Sequence, residues 1–128
     1  MREATYLAVA AGEPIEIAVS QLAGDGGGAL ANVNRWRSQS DLDPIGPSEL
    51  DRVAARLEGG ASGARFLRLR GDLQDIIGAM IPAPDSSRTW FVKCTCSSAQ
   101  ADAIEADLRR FAASFTFDAA PPHPANAP

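Results

Sequence analysis

Apolar and polar residues alternate along some stretches of the chain and recur at helical spacing along others. Ile15, Ile17 and Val19 alternate with Glu16, Ala18 and Ser20, the period of a half-buried strand. Met1–Val9, where Tyr6 and Leu7 lie among small residues, predicts a strand before it. The turn residues Ala11-Gly12-Glu13-Pro14 join the two as an antiparallel hairpin. Further on, Phe66 and Arg68 alternate with Leu67 and Leu69 over Arg65–Arg70. Ile76–Ile81 is a short apolar run that ends at Pro82 and Pro84. Arg88–Thr95 places Trp90, Val92 and Cys94 on one face and Phe91, Lys93 and Thr95 on the other.

Three segments carry the helical period. From near Ala29, the residues Ala29, Leu30, Val33 and Trp36 fall in one apolar arc, with Asn32, Arg35 and Gln39 as a polar stripe beside it. Arg37 falls inside the apolar arc. It must snorkel or find a carboxylate or carbonyl partner, because an unpaired buried charge is very costly. Asp43-Pro44-Ile45-Gly46-Pro47 breaks this helix. Ser48, with Asp51 three residues on, predicts the cap of a second helix whose buried stripe is Leu50, Val53, Ala54 and Leu57, ended by Gly59–Gly63. A third helix over Ser98–Ser114 buries Ala101, Ile104, Leu108, Phe111 and Phe115. Phe115-Thr116-Phe117 predicts a short last strand.

The resulting order is β-β-α-α-β-β-β-α-β. Consecutive strands with tight turns predict an antiparallel sheet, and helices on its faces make an α+β fold of the α/β/α sandwich type. Ile15, Ile17, Trp90, Val92, Leu108 and Phe111 are the expected core. Residues 1–117 are expected to form one domain, with Asp118–Pro128, nearly all Ala and Pro, as a disordered tail.

The chain has 128 residues, enough for one core, and its 45% apolar and 22% charged content is that of a soluble globular domain. A formal net charge of −4 lacks the basic balance of a nucleic-acid binder. No apolar run is long enough to span a membrane. The start, Met1-Arg2-Glu3-Ala4-Thr5-Tyr6, has no apolar signal segment, which predicts a cytoplasmic protein for the chain as written. Cys94 and Cys96 stand two apart in a strand, too far for a disulfide in regular geometry, and are expected to be free thiols.

The most specific stretch is Gly24–Gln39, a glycine-rich loop running into the first helix. Gly27 and Gly28 stand where free N–H groups at a helix start could hold an anion. The run is neither a phosphate loop, lacking Gly-Lys-Ser/Thr, nor a dinucleotide fingerprint, and Asp25 would repel an anion. The alternative is a tight turn that needs positive φ. Asn32, Asn34, Arg35, Arg37 and Gln39 offer guanidinium and amide groups suited to a carboxylate, peptide or glycan. Their alternative role is to satisfy backbone groups of the adjoining loops. Catalysis and metal binding find no residue set. The one histidine is His123, in the tail, and two thiolates alone do not complete a metal site. No cofactor is implied.

The segment Gly27-Gly28…Ala31-Asn32-Val33-Asn34-Arg35-Trp36-Arg37…Gln39, with Thr89-Trp90-Phe91-Val92-Lys93 downstream, resembles a family of uncharacterised bacterial proteins with a GG…ANVNRWRxQ signature and a later TWFxK strand. The resemblance covers roughly residues 1–117. It implies an exported protein or lipoprotein if the N-terminus is truncated. The strand order is also similar to the PsbP-type sandwich, a fold of accessory and assembly proteins. Three departures stand out: Ser38 and Cys96 replace glycines, and a preceding segment containing a Trp is missing. Two functional expectations follow. One is a non-enzymatic interaction or assembly module with a protein partner. The other is a domain that binds a small anionic ligand through Gly24–Gly28 and Arg35/Arg37.

Overall fold

The computed structural model describes residues 2–85 and 87–117. Its centre is a six-stranded antiparallel sheet of order β1-β2-β6-β5-β4-β3, formed by β1 (Arg2–Ala10), β2 (Glu13–Ala23), β3 (Ala54–Arg56), β4 (Arg65–Arg70), β5 (Asp75–Pro82) and β6 (Arg88–Cys96). The hairpin β1–β2 leads into α1 (Ala29–Gln39), which crosses one face toward the far edge. The chain then meanders back through β3, β4 and β5, so that β6 lands beside β2. From there α3 (Ser98–Ala113) crosses the opposite face.

Each helix covers its own core. On the α3 side, Ile15, Ile17, Val19, Phe66, Ile77, Ala79, Ile81, Val92 and Cys94 pack against Ala101, Ile104 and Leu108. On the α1 side, Leu67, Leu69, Ile76, Met80 and Phe91 pack against Val33 and Trp36. Strand alternation explains the division, since successive residues of β4, β5 and β6 serve opposite cores. β5 is buried from Asp75 through Ile81, and its near-continuous apolar run is that of a central strand covered on both faces. Of the expected core, Ile15, Ile17, Val92 and Leu108 are buried, while Trp90 and Phe111 are partly buried at its rim. Cys94 and Cys96 are buried free thiols, and burial pushes the Cys94 thiol up to about 12, with Cys96 adding to the effect.

The structure corrects two elements. The expected second helix is only a 3-10 turn, Pro47–Glu49, followed by a single helical turn, α2 (Leu50–Val53). The Glu49 carboxylate, not Asp51, reaches back at 3.1 Å, and its acceptor contact is with the Gly46 N–H. From Ala54 the chain is extended, because Ala54, Ala55 and Arg56 pair with Leu67, Phe66 and Arg65 of β4. Ladder pairing along an open sheet edge here overrides a helical pattern of four apolar residues. The other correction concerns Phe115-Thr116-Phe117, which forms no strand. Phe115 and Phe117 instead pack as single side chains on the α3-side core, Phe115 edge-on to Phe111 at 5.6 Å. The tail expected at Asp118–Pro128 lies outside the described residues.

Candidate functional site

The glycine loop owes its shape to backbone conformation. Gly24, Gly26, Gly27 and Gly28 all take positive φ, where a side chain is strained. Between them, the exposed Asp25 accepts the Gly27 N–H on its carboxylate at 3.0 Å. The loop is also tied to the sheet: Gly24 N–H donates to the Ser87 carbonyl at 2.7 Å, and the Thr89 hydroxyl donates to the Gly24 carbonyl at 2.9 Å. α1 has Gly28 at its N-cap position and so no side-chain cap. It ends in a Schellman closure, with Asp41 in the left-handed region and the Leu42 N–H donating to the Arg37 carbonyl at 2.8 Å.

The polar residues of α1 work on the loops at its two ends. Asn32 is 1% exposed. Its amide donates to the Asp25 and Gly28 carbonyls at 3.1 and 2.9 Å, and its oxygen accepts from Arg35. Helical phase alone places Asn32 on the surface, and the glycine loop buries it by folding over the first turn. Arg35 is exposed and also reaches the Gly26 carbonyl at 3.4 Å. At the other end, Asn34 pairs with Ile45 as a strand neighbour would, donating to its carbonyl at 3.1 Å and accepting its N–H at 2.8 Å. Arg37 is half-buried and donates to the Asp43 carbonyl, so its guanidinium meets a backbone partner at the edge of the apolar arc. Gln39 accepts from Lys93, whose ammonium lies 5.4 Å from the Trp36 ring centroid. The structure thus gathers Gly27, Gly28, Asn32 and Arg35 at one end of α1 and Asn34 and Arg37 at the other. Gln39 sits apart, over β6.

These contacts separate scaffold from surface. Asn32→Ala removes two donor bonds of a buried amide, while the Asp25 and Gly28 carbonyls keep the backbone N–H groups of Gly28 and Asn32, and should cost about 2 kcal/mol at about 1 kcal/mol per lost bond. Arg35→Ala should cost about 0.5 kcal/mol or less, as exposed substitutions usually do. Urea denaturation of both variants reads the difference. Equal losses would mean that Arg35 is as much a part of the fold as Asn32.

Two constellations lie outside Gly24–Gln39. One is ionic. Asp75, at the start of β5, is fully buried. Its carboxylate accepts from Arg68 Nε at 3.0 Å and from the Ser98 hydroxyl at 3.0 Å. The same guanidinium bridges to Asp102 at 2.7 Å and Glu105 at 3.4 Å, and donates to the Ser98 carbonyl at 3.1 Å. Burial opposes the Arg68 charge, but its bonds to Asp102 and Asp75 outweigh burial and raise its pKa above the ordinary value. This network fastens α3 to β4 and β5.

The other constellation is apolar and open. β1 ends the sheet, and among the described residues no strand pairs with its outer side. Tyr6, Leu7 and Val9 are 50%, 77% and 74% exposed. A cavity of about 360 Å³ lies between β1 and α3, lined by Tyr6, Ala8, Ala10, Ile104, Leu108 and Phe111 among others. The Tyr6 ring stands edge-on to Phe111 at 5.5 Å within it. Its lining includes one carboxylate, Asp107, which is already paired with Arg110. Sequence reasoning passed over this region because nothing in Ala4–Ala10 is chemically unusual. The available signal was an uncharged, proline-free strand with two large apolar residues on its polar-face positions.

No family model matches this chain, and no curated protein or solved structure matches it at a significant level.

Proposed function

We propose that the protein is a non-enzymatic interaction module that takes up an extended segment of a protein partner as an added strand on β1. One observation carries this reading: a nine-residue edge strand borders an apolar cavity under a helix. An added strand finds main-chain donors and acceptors along the edge. Its alternate side chains reach the cavity on the α3 face and Leu7 and Val9 on the other. The opposite edge of the sheet is guarded in the usual way. β3 has three residues and carries Arg56, whereas Ala4–Ala10 contains no charge and no proline.

The anion-binding alternative draws less support. Asp25 supplies the loop with its own carboxylate, and Arg35 and Arg37 each donate to backbone or side-chain groups of the chain itself. The resemblance to accessory and assembly proteins expected from the sequence, if it holds, also favours an interaction module over an enzyme.

Selection from a random decapeptide display library, with counter-selection on a Leu7→Lys/Val9→Lys variant, tests the reading. Peptides with apolar residues at every second position should be enriched and should bind the wild-type protein in isolation. Enrichment of no sequence, or of sequences without that period, would sink it.

A further inference from the structure

We infer that the strand taken up by β1 is the β1 of a second copy, so that two chains join their sheets edge to edge about a two-fold axis. This rests on the strand-addition reading and names its partner. The argument is one of register. In an antiparallel pair, residues directly opposite each other share a face. Four symmetric registers bring more than half of β1 into contact, and the one centred on Thr5 sets Leu7 against Glu3 and leaves Val9 without a partner in the strand. Centred on Tyr6, the pairing sets Glu3 against Val9 and Thr5 against Leu7, and so spends both large apolar side chains on polar neighbours. Centred on Leu7, it sets Leu7 against its own copy but leaves Val9 facing Thr5.

Centred on Ala8, every large group is matched. Leu7 of each copy faces Val9 of the other, which gathers four apolar side chains on the α1 side of the joined sheets. On the α3 side, Tyr6 of each copy faces Ala10 of the other, and Ala8 faces Ala8. Ala10 lines the cavity, so the facing tyrosine arrives at its mouth, where a small residue leaves room for a ring. Charge agrees with this choice of occupant. The cavity's one carboxylate is already paired, and the segment that would meet it, Ala4–Ala10, is uncharged. Such a contact is two strands wide and belongs to the smaller class of interfaces, so a dissociation constant in the micromolar range is expected.

Sedimentation equilibrium of the full chain across the micromolar range tests the inference. The wild-type mass should rise from 13.4 kDa toward twice that value as concentration increases. Two double variants then test the register, since exposed positions 7 and 9 can be changed without disturbing the core. Leu7→Lys/Val9→Lys sets ammonium groups against each other twice, and dissociation should become at least about tenfold easier. Leu7→Lys/Val9→Glu sets each ammonium against the introduced carboxylate only in the Ala8-centred register, and should restore the dimer. Circular dichroism and melting curves check that both variants fold. A wild-type protein that stays monomeric into the millimolar range overturns the inference. So does a dimer that survives the first variant or is not restored by the second. A monomer that still selects alternating peptides removes the second copy and leaves strand addition standing, whereas a monomer that selects none removes both.

Discussion

Gly78→Ala should unfold the protein or lower its stability by about 3 kcal/mol or more, beyond the usual cost of one added methyl group in a core. Gly78 lies in the middle of β5, opposite Leu67 of β4 and Lys93 of β6. A Cβ there would stand 1.9 Å from the Val92 carbonyl oxygen and 2.9 Å from its carbon. Those are backbone atoms of a paired neighbour, and they cannot turn aside as the end of a side chain can. β5 and β6 would have to separate, and both cores meet across these strands. Gly46→Ala is the control, because nothing lies within 4 Å of its would-be Cβ and its φ is −93°. Its urea midpoint should match the wild-type protein closely. A Gly78→Ala variant with an unchanged midpoint would mean that β5 and β6 are not spaced as described.

The second large effect is expected at Arg68. Arg68→Ala leaves the Asp75 carboxylate buried with only the Ser98 hydroxyl at its other oxygen, and it releases Asp102 and Glu105 from the sheet. Breaking one partner out of a buried ion pair costs about 3–5 kcal/mol, chiefly because the surviving charge stays buried. Replacing both, as Arg68→Met/Asp75→Leu, should recover most of that loss, since a well-packed apolar pair often equals the ion pair it replaces. Chemical denaturation of the wild-type protein and both variants reads the loss and its recovery. If the double variant is no more stable than Arg68→Ala, the network contributes through Asp102 and Glu105 instead of through Asp75.

The strands and the two long helices were legible because their periods are strong. Ile15, Ile17 and Val19 can serve only one face, and Ala101, Ile104 and Leu108 only one stripe. The segment after Pro47 was not, because Leu50, Val53, Ala54 and Leu57 satisfy a helical spacing equally well. Pairing with β4, which no local pattern encodes, decides its conformation. Asn32 was misplaced for a related reason: helical phase describes the helix, while its burial depends on a loop folding back over it. The Arg68 network joins residues up to 37 positions apart, so its members read separately as surface charges. The polar residues of Asn32–Arg37 were conspicuous in the sequence because they hold two irregular loops, and irregular backbone needs specific side chains where regular structure needs only a pattern. The open edge stayed hidden until the strand order was known.

That strand order also limits how far any assembly can grow. A sheet with two receptive edges is a propagating template: each added unit presents a fresh edge, and the product is a fibre without fixed length. Here the far border is β3, three residues long and bearing Arg56. Whatever strand adds at β1, the described residues offer no equivalent site on the other side. Head-to-tail stacking has no second half, and the stoichiometry closes at one addition per chain. If a strand adds at β1, the short detour through α2 into β3 therefore acts as a chain terminator, and lengthening β3 while replacing Arg56 should turn a finite complex into a filament.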